Sequence, residues 1–307
     1  MAEIRRRDTQ KREQPVETVA IPQEPVEEII ELRVSAILVA HNQAPALRRA
    51  IEALEKSQYR ERMEIIVVDC ASSDDSPQLD IEFERITLLR LPHHFGATKA
   101  MNIGARTAKA ELVFYLSPNV EVAPDTVTQL ADRLEAASDT SAVAPLLVDP
   151  QGNIVSREQK IREAVTGKDP GQAIAATGES VAVEYMSSHA LMVRKQFIKG
   201  MNYFDERFGH FGADADLAMK IRNAQRRIRV YPGIRATIHA TPDPLEGDPL
   251  FAADHASGVA AWLGKYDGFF SGLSYRIGAI LRALAGFRFK ELTALVSGQK
   301  LDGSQSM

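Results

Sequence analysis

Val34 to Ala40, VSAILVA, is an apolar run broken by one serine. A strand with one face in water alternates apolar and polar residues; an uninterrupted run implies a strand covered on both faces, as in a parallel sheet. The pattern recurs. MEIIVVD (63–69) reads as a second such buried strand, and ITLLRLP (86–92), ELVFYLS (111–117) and SAVAPLLV (141–148) as three more strands. Helical spacing intervenes at Leu47, Ile51 and Leu54, then over 96–110 and 123–137, with Pro124 near a helix start, where proline is favoured. A β-α-β-α order predicts an α/β fold: a doubly wound, mostly parallel sheet flanked by helices. Such sheets place ligands beyond the carboxyl ends of their strands. The positions to watch are therefore Ala40–Gln43, Asp69–Ser73, His93–Gly96 and Ser117–Asn119.

The rest of the chain narrows the class. A net charge of −4 and a sequence pI near 6.0 argue against a nucleic-acid coat. Cys70 is the only cysteine, which excludes an internal disulfide and any multi-cysteine zinc site, and points to the reducing cytoplasm. Neither an apolar signal segment nor a membrane-spanning run is expected. GxxxxGK[ST], GxGxxG after a strand, GxSxG and HExxH are all absent. Residues 1–32 read as a charged, partly disordered arm, with docking to a partner or anionic lipid as the alternative.

Six segments together resemble family 2 glycosyltransferases of the GT-A fold: VSAILVAHN (34–42), IIVVDCASSDDS (65–76), HHFGATKAMNIGA (93–105), ELVFYLSPNVEVAPDTVTQL (111–130), FDERFGHFGADADLAMKIRNAQRRIRV (204–230) and ATIHA (236–240). The pattern is similar to the rhamnosyltransferase-like branch. The resemblance implies a GT-A domain over 33–245, a nucleotide-sugar donor (UDP- or dTDP-linked), a glycan or lipid-linked hydroxyl acceptor, inversion, and a place in cell-envelope polysaccharide synthesis. It implies that Ala40, His41, Asn42, Asp69, Lys99 and Asn102 border the nucleotide, Asp69 accepting the ring N–H of uracil or thymine. Asp69 also reads as a helix N-cap, and Lys99 as a solvated helix lysine. Asp214 matches the general base that deprotonates the acceptor. Asp216 is expected to cap or orient its helix.

Two departures stand out. Asn119 replaces the aspartate that holds Mg2+ or Mn2+ in the family, and Ala213 replaces a glutamate. An amide oxygen supplies no charge to a hard cation, so a metal held by Asn119 and His239 is expected to be weak or absent. The cations available as replacements are Lys99, His93, His94 or the arginines near 226–229. The losses also motivate a second reading, a catalytically weakened homologue serving as a binding or scaffold subunit. A nucleotidyltransferase fits less well, because the lysine-rich glycine loop expected after the first strand is missing.

Residues 246–307 read as a helical extension. Within 269–300, Leu273, Ile277, Ile280 and Leu284 share helical spacing, with Arg276, Arg282, Arg288 and Lys290 among them. Such a basic amphipathic segment suits the inner membrane surface, or packing on its own domain or a second subunit.

Overall fold

The computed structural model describes residues 31–301, so nearly all of the arm expected over 1–32 lies outside the described residues. The first half alternates strand and helix: β1 (Val34–Ala40), α1 (Ala44–Glu55), β2 (Met63–Asp69), α2 (Leu79–Glu82), β3 (Ile86–Arg90), α3 (Ala97–Thr107) and β4 (Leu112–Leu116). These strands pair in parallel in the order β3-β2-β1-β4. The second half is less regular: β5 (Val120–Val122), α4 (Thr126–Ala136), β6 (Thr140–Val148), β7 (Arg157–Glu158), α5 (Ile161–Thr166), β8 (Gln172–Ala173), β9 (Val181–Val183), β10 (Ala190–Arg194), α6 (Lys195–Gly200), α7 (Ala213–Asn223) and β11 (Arg227–Ile238). Three helices follow: α8 (Pro249–Tyr266), α9 (Phe269–Ala285) and α10 (Phe289–Ser297).

The sheet continues as β4-β10-β6-β11-β5, with β9 also on β11. β10 is antiparallel to both β4 and β6, while β6 and β11 are parallel. Four of the five apolar runs are covered on both faces; β3, at the edge of the sheet, is only half-buried, with Thr87 and Arg90 exposed. Ile37, Ile66, Val68 and Tyr115 face one core, which α3, α7 and α8 close. Leu38, Ile65, Val67 and Phe114 face the other, closed by α1 and α4. Gly104 lets α3 lie close on the sheet: a Cβ there would stand 2.5 Å from Ile37 Cγ2.

Two local expectations shift. The helix expected over 123–137 begins at Thr126 behind Asp125, so Pro124 precedes it and its carbonyl accepts from Gln58 N–H at 2.8 Å. The segment 269–300 forms two helices. Phe287 adopts a left-handed φ of 54° between them, and Arg288 N–H closes back on Ala283 O at 2.9 Å. α8 is joined to the core: Val259, Trp262 and Leu263 belong to the same cluster as Ile37 and Tyr115. α9 packs its small residues inward (Gly272, Ala279 and Ala283) and exposes Phe269, Phe270, Leu281 and Leu284.

Candidate active site

The first two strand ends lie side by side, Ala40 opposite Asp69. Their loops are stitched together. Asn42, at a left-handed φ of 51°, donates its backbone N–H to Ser72 Oγ at 2.8 Å and accepts Ser73 N–H on Oδ1 at 2.7 Å. His41 Nδ1–H donates to the Cys70 carbonyl at 2.7 Å. Asp74 Oδ2 accepts Ala44 N–H at 2.8 Å, so the cap of α1 comes from the neighbouring loop. Asp69 does two things. Oδ2 accepts Ser72 N–H at 3.2 Å and shapes the turn. Oδ1 is buried without a hydrogen-bond partner. An unpaired buried acceptor is costly, and a ligand N–H would satisfy it.

The third strand end is the Ser117–Asn119 turn. Val120 N–H closes it on Ser117 O at 2.9 Å, and Ser117 N–H is held by His189 O at 2.8 Å. Asn119 O accepts His239 N–H at 2.9 Å, which brings the two candidate metal residues next to each other. Their side chains do not make a cation site. Asn119 offers a neutral oxygen, Oδ1, buried and unpartnered. The His239 imidazole instead meets Glu121, Nε2 to carboxylate at 3.1 Å. Among the described residues no three His, Cys, Asp or Glu side chains converge as metal ligands. This donor set does not fit a resident Mg2+ or Mn2+, which demands anionic oxygens.

α7 supplies the opposite wall. It begins after Gly212, whose φ of 97° turns the chain into the helix. Asp214 faces the strand ends: Oδ2 accepts Ser188 N–H at 3.1 Å, and Oδ1 is buried without a partner. Burial pushes its carboxyl above the usual range, opposed in part by the Ser188 N–H. Asp216 does not cap α7. It is fully buried and meets Lys265 Nζ at 2.5 Å, Tyr266 Oη at 2.6 Å and Lys220 Nζ at 2.9 Å. It fastens α8 to α7. Ala213, where the family carries a glutamate, is buried at the start of the helix.

These walls enclose a cavity of about 480 Å³, lined by Ala40, His41, Asn119 and Asp214 among others. It also takes in Tyr115, whose hydroxyl is buried and unpartnered. Asn42 and Asp69 support it from the adjoining loops. Lys99 and Asn102 lie on α3 but do not line it. The Asn102 amide is used internally: Nδ2 donates to Phe204 O at 2.9 Å, and Oδ1 accepts Phe204 N–H at 3.0 Å. Arg227 and Arg229 pair with Asp139, and Arg226 reaches Ser141, at the start of β6. They lie at the wrong end of the sheet to replace a metal. Of the cations anticipated, only His94 lines the cavity; His93 packs against Phe95. His210 and His255, which sequence reasoning passed over, line it too.

The chain can now be set beside known proteins. The family model described as "Glycosyl transferase family 2" matches residues 35–200, just over half of the chain. Succinoglycan biosynthesis protein ExoO of Rhizobium meliloti (strain 1021) is 31% identical over 112 residues, covering 36% of this chain and 32% of that one. N-acetylglucosaminyl-diphospho-decaprenol L-rhamnosyltransferase of Mycobacterium tuberculosis (strain CDC 1551 / Oshkosh) is 22% identical over 251 residues, covering 72% of this chain and 81% of that one. Among solved structures, GalNAc-T7 with UDP, GalNAc and Mn2+ superposes with a TM-score of 0.57 at 16% identity, covering 80% of this chain and 56% of that one. The chain thus spans about a third of ExoO and just over half of GalNAc-T7. With the strand-end cavity and a buried aspartate with one unpaired oxygen opposite it, the match over 35–200 shows that this chain belongs to glycosyl transferase family 2.

Proposed function

We propose that the chain transfers a sugar from a UDP- or dTDP-linked donor to a hydroxyl of a glycan or lipid-linked acceptor, with inversion. The observation that carries this reading is Asp214 Oδ1, buried and unpaired on the cavity wall opposite the strand ends. There a carboxylate can take the acceptor's hydroxyl proton as its oxygen attacks the anomeric carbon. The bond from that carbon to the phosphate oxygen breaks, and the nucleoside diphosphate leaves with the electron pair. Asp69 Oδ1 is suited to accept the base N–H, while Ala40 and His41 line the nucleotide end and Asn42 braces it. Asn102 ties α3, which borders the site, to the Phe204 backbone, and Lys99 lies on the same helix. Asn119 and His239 do not offer the anionic oxygens a divalent cation needs, so the charge that develops on the leaving group is not assigned to a metal. The names of the relatives support a polysaccharide or diphospholipid setting.

The acceptor class agrees with the surface of α9 and α10. Phe269, Phe270, Leu281, Leu284, Phe287, Phe289 and Val296 are exposed there. Arg276, Arg282, Arg288 and Lys290 lie among them, while the lone acid, Glu291, is buried against Arg288 at 2.8 Å. An apolar face rimmed by cations suits an anionic lipid surface on the cytoplasmic side. Among the described residues no helix is long and apolar enough to cross a membrane.

Titration with UDP, dTDP and GDP, with and without Mn2+, followed by donor hydrolysis, tests the proposal. UDP or dTDP should bind, and the protein but not Asp214→Asn should turn the donor over. If no nucleotide binds under any condition, the reading fails. Binding without turnover would favour the scaffold reading.

A further inference from the structure

Five of the seven histidines in the chain line one cavity: His41, His94, His189, His210 and His255. No lysine or arginine does so among the described residues, and the lining acids are Asp214 and Asp243. The histidines come from five separate parts of the fold. His41 and His94 meet edge to face with ring centroids 4.8 Å apart, and His94 and His210 stack at 6.0 Å. Phe211 contacts His210 at 4.9 Å and His255 at 4.4 Å, forming a shared apolar wall. We propose that this histidine cluster, with His94 and His210 at its centre, holds the donor's pyrophosphate where related proteins use a metal ion, and that donor binding therefore draws protons into the site. The inference rests on the glycosyltransferase reading and adds how its charged ligand is held.

The ring nitrogens carry the argument. His41 is committed: Nδ1–H donates to Cys70 O at 2.7 Å, and Nε2 stands 3.1 Å from the Asn42 amide. His94 Nδ1 accepts Gly96 N–H at 3.1 Å, so its neutral ring carries the proton on Nε2. His210 Nδ1 is buried with no partner. An anionic oxygen is the natural partner for that nitrogen once it is protonated. Before the anion arrives, the surroundings of His210 and His255 favour their neutral forms. Burial and the neighbouring His255 and His41 hold His210 below the usual histidine range, against the pull of Asp243; burial alone lowers His255. From α8, Asp254 accepts the His210 backbone N–H at 2.7 Å, and from α7 Asp214 adds a carboxylate. A pyrophosphate diester brings two negative charges into this low-dielectric space. Those charges reverse the preference, and the rings take up protons to meet them.

Calorimetry on the full chain in EDTA reads this directly. UDP-glucose, dTDP-glucose and GDP-mannose are the probes, because their pyrophosphate diesters have no proton to gain near neutral pH. Titrations at pH 7 in two buffers of different ionisation heat give the protons exchanged. At least one probe should bind without metal, with net proton uptake, and its affinity should weaken by up to about tenfold per pH unit between pH 6 and 8. His94→Gln and His210→Gln should each reduce the uptake and flatten the pH dependence while unfolding temperatures stay near that of the parent. The wild-type measurement stands alone if either variant folds poorly. A probe that binds only with Mn2+ and without proton uptake overturns this inference and leaves the glycosyltransferase reading intact. If no probe binds with or without Mn2+ at any pH, both fall.

Discussion

Asp214 and Asp216 sit two positions apart on α7 and point opposite ways, one into the cavity and the other into a buried knot with Lys265 and Tyr266. An offset of two residues turns a side chain by about 200° on a helix, so the two carboxylates cannot share a task. The first has an unpaired oxygen available for chemistry; the second is consumed by packing. Opposite outcomes follow when each is changed.

Asp214→Asn is expected to lower turnover by roughly 10²–10⁴-fold while nucleotide affinity changes little. The pH profile adds a sharper check. Burial raises the Asp214 carboxyl, and a base works only when ionised. Turnover should therefore fall on the acid side at a pH above the roughly 3.9 of an ordinary aspartate. An acid limb at or below that value would count against Asp214 as the base.

Asp216→Ala should cost about 3 kcal/mol in urea unfolding, the low end for breaking a buried pair, because Lys265 and Lys220 keep partial contact with water. Nucleotide binding to the folded fraction should persist. If turnover collapses while stability holds, Asp216 belongs to the chemistry after all.

Acid should weaken the free protein through the cavity histidines. His210 and His255 titrate lower when folded than unfolded, so the unfolded chain binds protons first. Their contribution is complete above about pH 6.5 and is lost as pH falls from that value down through their lower folded-state values. Urea midpoints measured from pH 7.5 to 5 should drop, and the double change His210→Gln with His255→Gln should make the drop shallower. Parallel curves would remove these rings from the account.

Gly104→Ala should destabilise by about 1–3 kcal/mol, because its Cβ would stand 2.5 Å from Ile37 Cγ2 and 3.4 Å from Val68 Cγ2. Thermal or chemical unfolding measures this. A neutral result would mean that α3 shifts off the sheet at no cost.

Phe270→Ser and Phe287→Ser should each weaken sedimentation with phosphatidylglycerol vesicles by about tenfold or more, the effect of withdrawing one large aromatic from an apolar layer. High salt should weaken the wild type further through Arg276, Arg282 and Lys290. Unchanged sedimentation would direct this face to a protein partner instead.

The parallel half of the sheet was legible because its three inner strands are buried on both faces, which leaves unbroken apolar runs such as IIVV at 65–68. The reversal of β10 was not, since an apolar run carries no direction. The placement of Asp214 and Asn119 at the cavity was legible through their surroundings in the family pattern. The task of Asp216 depends on Lys265, 49 residues later, and no local spacing records that meeting. The histidines failed for the same reason. Each alone resembles a common structural residue, and only the return of α8 brings His255 beside Phe211 and His210.

That return has a consequence for how such chains diverge. The family match ends at residue 200, yet the cavity is finished by His210, Asp214, His255 and Val259. Gly258 accepts no larger residue without striking Phe211 O, which a Cβ there would approach to 2.5 Å. The ligand space is therefore moulded partly by a helix outside the family signature. Two chains alike throughout 35–200 can differ in the ligands they admit through changes on α8 alone.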